Sequence, residues 1–96
     1  MAGKKGRRVS LESSAVTIGT SATVIATGKT GASWLYLHAP TGANTVYIGP
    51  STVTAATGLE LPKGALQTFW LAEADTLYGI VASSTQALMV LKSGGR

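Results

Sequence analysis

Apolar and β-branched residues in this chain come in short bursts, and turn-forming residues interrupt each burst before it reaches the length of a helix. Strands are expected near 14–19 (SAVTIG), 22–27 (ATVIAT), 33–39 (SWLYLHA), 45–49 (TVYIG), 52–55 (TVTA), 66–71 (LQTFWL), 76–83 (TLYGIVAS) and 86–92 (QALMVLK). The punctuation between them (TGKTGA, PTGAN, GPS, ATG, LPKGA, EAD and SST) supplies the Gly, Pro, Asn and Asp that turns require. Turn signals every ~8–12 residues point to an all-β fold: a single small β-sandwich or barrel of about seven to eight strands. One segment, ALQTFWLAEA, also fits a helical wheel, but Thr68, Phe69 and Trp70 favour a strand there.

Several of these strands are apolar on both faces. Trp34, Tyr36 and His38 alternate with Leu35 and Leu37, and Ala87, Met89 and Leu91 alternate with Leu88 and Val90. One face enters the domain's own core, and the other is expected to meet a second surface, because a sandwich needs only one apolar face per strand. Trp34, Tyr36, Tyr47, Phe69, Trp70 and Tyr78 are the aromatics, and they read as core or subunit-interface anchors.

Charge is scarce, at 12% of the chain against roughly 25% in an average soluble domain. Small residues fill the surface instead, which suits packed sheets and protein contacts. The net charge of +4 is local: Lys4, Lys5, Arg7 and Arg8 lie in a flexible arm expected at residues 1–8, while residues 9–96 form the β domain. Within that domain Lys29, Lys63, Lys92 and Arg96 are balanced by Glu12, Glu60, Glu73 and Asp75. Nucleic-acid binding is not expected, since the basic residues are not spread over a folded face among exposed aromatics. The arm reads as a solubilising tail, or as a strap that lies along an acidic partner and orders on binding.

The start MAGKKGRR is followed by Glu12 and several hydroxyls where a signal peptide has an apolar stretch. The longest apolar runs, such as WLYL and ALMVL, fall far short of the ~20 residues of a membrane helix. A soluble chain made in a cytoplasm, with no membrane partner, is expected. There is no cysteine, and hence no disulfide, thiolate metal site or cysteine nucleophile.

Reactive constellations are equally thin. GKT at 28–30 matches the end of a P-loop, but the first glycine of that motif falls on Thr23 and no helix follows, so TGKTG reads as a hairpin loop. His38 is the single histidine, without the ligand count of a metal site, and reads as a hydrogen-bonded or rim residue. Glu12, Glu60, Glu73 and Asp75 read as surface or turn acids, with Asp75 setting a turn into the strand at Thr76. No catalytic residue, metal or cofactor is expected, and the chain is not read as an enzyme.

Two pieces, NTVYIGPSTVTAATGLELPKG and FWLAEADTLYGIVASSTQALMVL, carry a pattern: an aromatic strand ending in Gly, a Val/Thr strand, Gly-x-x-Leu-Pro-x-Gly, an apolar strand, Asp-Thr-Leu-Tyr and a closing strand. From Ser33 to Lys92 this order resembles small structural proteins of tailed bacteriophages. The resemblance implies a non-enzymatic virion component, foremost a head decoration (cement) protein. Such a protein would form a homotrimer, bind the major capsid protein on the outer head surface and be made in the bacterial host cytoplasm. A tail, head-fibre or head-to-tail joining subunit is the nearest alternative, and a carbohydrate-binding module is the alternative of another class.

Overall fold

The computed structural model describes residues 11–28, 33–40, 44–61, 63–64 and 66–93. The expected arm, with Lys4, Lys5, Arg7 and Arg8, lies outside the described residues. Eight strands form: β1 (Glu12–Ile18), β2 (Thr23–Thr27), β3 (Ser33–His38), β4 (Tyr47–Gly49), β5 (Leu59–Glu60), β6 (Leu66–Leu71), β7 (Thr76–Ile80) and β8 (Gln86–Ser93). The described residues contain no helix, and so none that is long and apolar enough to cross a membrane.

The strands pair antiparallel into two four-stranded sheets, in the orders β1-β8-β3-β6 and β2-β7-β4-β5. Every connection except that from β4 to β5 crosses from one sheet to the other. This is the strand order of a double Greek-key jelly roll, so of the expected sandwich or barrel the chain forms a sandwich.

Alternation along the strands builds the core between the sheets. The first sheet contributes Ile18, Leu35, Leu37, Leu71, Leu88 and Val90, and the second contributes Ile25 and Ile48, with Val46, Leu61 and Val81 closing the ends. These side chains are aliphatic and β-branched or γ-branched, and fully burying each is worth about 1.5–3 kcal/mol. Ala26, Phe69 and Leu77 pack against this cluster at its margin.

The strand expected over 52–55 does not form. Val53 donates its backbone N–H to the Pro50 carbonyl at 2.9 Å, and Gly58 donates to the Thr54 carbonyl at 2.8 Å. The Thr54 hydroxyl accepts from the amides of Ala56 and Thr57 at 3.3 and 3.1 Å, while the Thr57 hydroxyl accepts from the Thr54 amide at 3.1 Å. Threonine side chains thus supply the partners that a sheet ladder would have given, and the segment closes into turns. The pairing with β4 is made instead by the two-residue β5, which was too short to leave any alternation in the sequence.

These turns fold over the outer face of the second sheet. Val53 is 4% exposed yet stands apart from the central cluster. Its pocket is made by glycines: a Cβ on Gly49 would lie 3.0 Å from Val53 Cγ2, and one on Gly58 would lie 2.8 Å from Val53 Cγ2 and 2.6 Å from Tyr47 Cβ. Ile48 points into the core, so Tyr47 and Gly49 point outward, and Val53 caps them from outside.

The TGKTG segment is not a hairpin loop, since β2 and β3 belong to different sheets and the chain crosses between them here. Lys29 and Thr30 lie outside the described residues. Gly28 is held by the β6–β7 turn: its N–H donates to the Asp75 carbonyl at 2.7 Å and its carbonyl accepts from Ala74 at 3.2 Å. A Cβ at Gly28 would overlap the Ala72 carbonyl oxygen, a backbone atom with little room to retreat. The Asp75 turn forms as expected, closed by the Asp75 amide on the Ala72 carbonyl at 3.1 Å with Ala74 at φ 68°.

These approaches set a stability prediction. Gly28→Ala and Gly58→Ala are each expected to lower folding stability by about 1–3 kcal/mol, the usual cost of overpacking. Gly19→Ala, with open space around its Cβ, is expected to stay within about 0.5 kcal/mol of the parent. Urea denaturation midpoints compare the three.

Candidate functional site

The outer face of the first sheet is where the chain concentrates its exposed apolar side chains. Register places Ala15, Met89, His38 and Leu66 in one row across β1, β8, β3 and β6. The next row holds Ser13, Leu91, Tyr36 and Thr68, and the third holds Ser93, Trp34 and Trp70. The intervening rows carry Leu35, Leu37, Leu88 and Val90 into the core, which fixes these three rows on the outside. No Lys, Arg, Asp or Glu occurs in them.

Trp34 and Trp70 are direct cross-strand partners, 50% and 59% exposed. Leu66 at 63% and Met89 at 45% extend the same surface. A shallow groove runs along it between Tyr36, His38, Leu66, Met89 and Ala15. Together these tips leave on the order of 400 Å² of apolar area in water, within the ~300–600 Å² of the largest patch on a typical monomer, a patch that is often functional. An interface of standard size covers about 800 Å² per partner and is a little over half apolar, so this face carries nearly all the apolar area one such contact uses.

The six expected anchors therefore separate. Trp34 and Trp70 stand on the outer face, and Tyr36 lies half-buried between them and the groove. Phe69 faces inward at the margin of the core. Tyr47 and Tyr78 are half-buried on the second sheet, where Tyr47 is packed under the 50–58 turns.

The second sheet presents a different surface. Its strongly exposed large apolar side chains are Val24 and Leu59, one on each edge strand. Of the two strands between them, β4 is shielded at Tyr47 and Gly49 by the Val53 cap.

Two polar struts hold the sheets in place, and neither was legible in the sequence. Lys92 Nζ donates to the Thr27 carbonyl at 2.9 Å and lies 3.6 Å from Glu12 Oε1, joining β8 to β2 and to β1. The Asn44 side-chain amide donates to the carbonyls of Ser83 and Thr85 at 3.0 and 3.1 Å, and its backbone N–H donates to Gln86 Oε1 at 3.0 Å. The hydrogen-bond partners of Lys92 and Asn44 lie 39 to 65 residues away in sequence, a separation that no local pattern encodes.

Chemistry-bearing groups are scattered over this frame. His38 faces Met89 and Leu66 across the sheet, Glu12 meets Lys92, Glu60 lies on β5, and Glu73 and Asp75 lie in or beside the β6–β7 turn. Among the described residues no group of three or more His, Cys, Asp or Glu is placed to hold a metal ion.

No protein-family model and no curated protein matches the chain. A solved structure from Bacillus endospore appendages, described as a novel family of disulfide-linked pili, superposes with a TM-score of 0.49 at 16% identity, over 100% of this chain and 98% of that one.

The split between the two faces of β3 is testable by stability. Leu35→Ala, on the buried face, is expected to cost about 2–5 kcal/mol. Trp34→Thr, on the outer face, is expected to cost no more than about 1 kcal/mol, the size of a cross-strand pair. Equal losses in a denaturation series would place Trp34 in the core.

Proposed function

We propose that this protein is a non-enzymatic structural subunit of a virion, a head decoration protein whose copies associate with one another and bind the outer surface of the capsid. The observation that carries the reading is the uncharged outer face of the first sheet, centred on the half-exposed Trp34–Trp70 pair. Water is a poor neighbour for such a surface, and a protein partner removes it from water at about 25 cal/mol per Å² of apolar area. Trp and Tyr in that position bring large contact area with little rotamer freedom to lose.

The jelly roll supports this reading only by analogy, since capsid and lectin domains both use it. The phage-like order of features from Ser33 to Lys92 supplies the more specific direction. In this reading association is threefold, the partner is the major capsid protein, and the basic residues Lys4, Lys5, Arg7 and Arg8 grip acidic capsid surface. Linking three weak contacts in one assembly multiplies their strength through effective concentration.

Sedimentation velocity across a range of protein concentrations is the direct test of self-association. The parent chain is expected to form oligomers, and the double variant Trp34→Ser, Trp70→Ser to remain monomeric with a folded spectrum. A parent that stays monomeric at high concentration would remove the basis of the proposal. Electron microscopy of purified particles separates head from tail positions. Deleting residues 1–8 is expected to lower capsid occupancy more in low salt than in high salt, because screening already weakens the arm's contribution at high ionic strength.

A further inference from the structure

We infer that β6 is a self-complementary sheet edge, and that it pairs antiparallel with β6 of a second copy about a twofold axis normal to the sheet that passes between the two Thr68 residues. This names one contact of the self-association proposed above and rests on that reading.

The fold has four sheet edges, and they are not protected alike. Unpaired edges invite pairing with another chain unless they are bulged, short, charged or covered. On the second sheet, β2 has a register shift between Val24 and Ala26, and β5 is two residues long and carries Glu60. On the first sheet, β1 is long but offers small side chains, Ser13, Ser14, Ala15 and Thr17. The β6 edge differs from all three. Its sequence LQTFWL holds no charge and no proline, and it runs through six consecutive partners on β3 without a shift.

A second copy of β6 is complementary to this edge. Centring an antiparallel pair on Thr68 sets Thr68 opposite Thr68 and Leu66 opposite Trp70 on the outer face, with Gln67 opposite Phe69 on the inner face. Every side chain then meets one from the same side of the sheet, as the pleat requires. Leu66 and Trp70, 63% and 59% exposed, would cover each other twice. Threonine pairs and aromatic–aliphatic pairs are among the favourable cross-strand combinations.

Charge fixes the direction. Exposed Lys63 lies just before β6 and exposed Glu73 just after it. Antiparallel pairing brings the Lys63 end of one copy to the Glu73 end of the other at both ends of the contact, whereas parallel pairing would set like beside like. The product is one continuous sheet of eight strands with the outer apolar face doubled. That face stays open, so a threefold or capsid contact uses a separate surface. Such a twofold contact is also closed and does not propagate into fibres.

The absence of cysteine makes the register directly readable. Thr68→Cys puts the two thiols opposite each other, where paired Cα atoms lie about 4.5–5.5 Å apart, inside the ~4.4–6.8 Å span of a disulfide. Thr17→Cys, an exposed position on the other edge strand, is the control. Under mild oxidation Thr68→Cys is expected to form covalent dimers at least about tenfold faster than Thr17→Cys. Equal rates, or preferential cross-linking in a mixture of the two variants, would overturn the β6–β6 contact. Thr68→Lys places two ammonium groups opposite each other at an exposed site and is expected to weaken dimerisation in sedimentation by at least about tenfold, with the thermal midpoint of the dilute monomer retained. An oligomeric parent with no effect of either Thr68 change would sink this inference alone. A parent monomeric throughout would sink the self-association as well.

Discussion

The architecture depends on one face of β3 and β8 being driven against the second sheet. These are the two central strands of the first sheet, and Leu35, Leu37, Leu88 and Val90 along them are at most 5% exposed. Alternation then leaves no freedom for their neighbours: once these four point inward, Trp34, Tyr36, His38, Met89 and Leu91 must point outward. The same act of burial that stabilises the fold produces the exposed apolar surface. A chain of this size encloses one modest core, and its strands carry more apolar surface than that core takes.

How the molecule treats its two outer faces is the basis of the functional reading. On the second sheet, the threonine-stabilised turns after β4 lay Val53 over Tyr47 and Gly49, and both edges are blunted by a bulge or by brevity. The first sheet receives none of this cover among the described residues. It keeps two long edges and an uncharged face bearing a tryptophan pair. A protein guarding equally against association would be expected to protect both sheets. This asymmetry, together with the scarcity of charge in the chain, is what the proposal of a protein-covered first sheet rests on.

The polar groups serve this frame. Lys92 is the clearest case, since its ammonium meets a backbone carbonyl on the opposite sheet and the carboxylate of Glu12 on the adjacent strand. Asn44 ties the approach to β4 to the turn before β8 in the same manner. Asn44 lies in the β3–β4 crossover, and Lys92, within β8, reaches the Thr27 carbonyl at the end of β2, where the chain leaves the second sheet. Removing charge or amide there would loosen the crossovers before the core itself.

Sequence alone determined the strands whose alternation is long, the all-β class, and the double-faced apolar character of β3 and β8, because a two-residue period is a local property of the chain. It also determined the scarcity of charge and the want of any cysteine chemistry. It did not reveal that 52–55 closes into turns, since Thr and Val favour strands in general and only the hydrogen bonds among Thr54, Thr57 and Gly58 divert them. Nor did it separate Trp34 and Trp70 from Phe69, which share composition and neighbourhood but differ in the face they occupy. Tertiary structure decided that, along with which edges are exposed and which outer face the chain covers itself. Pairing order brings together residues tens of positions apart, and no pattern within a single strand specifies its neighbours.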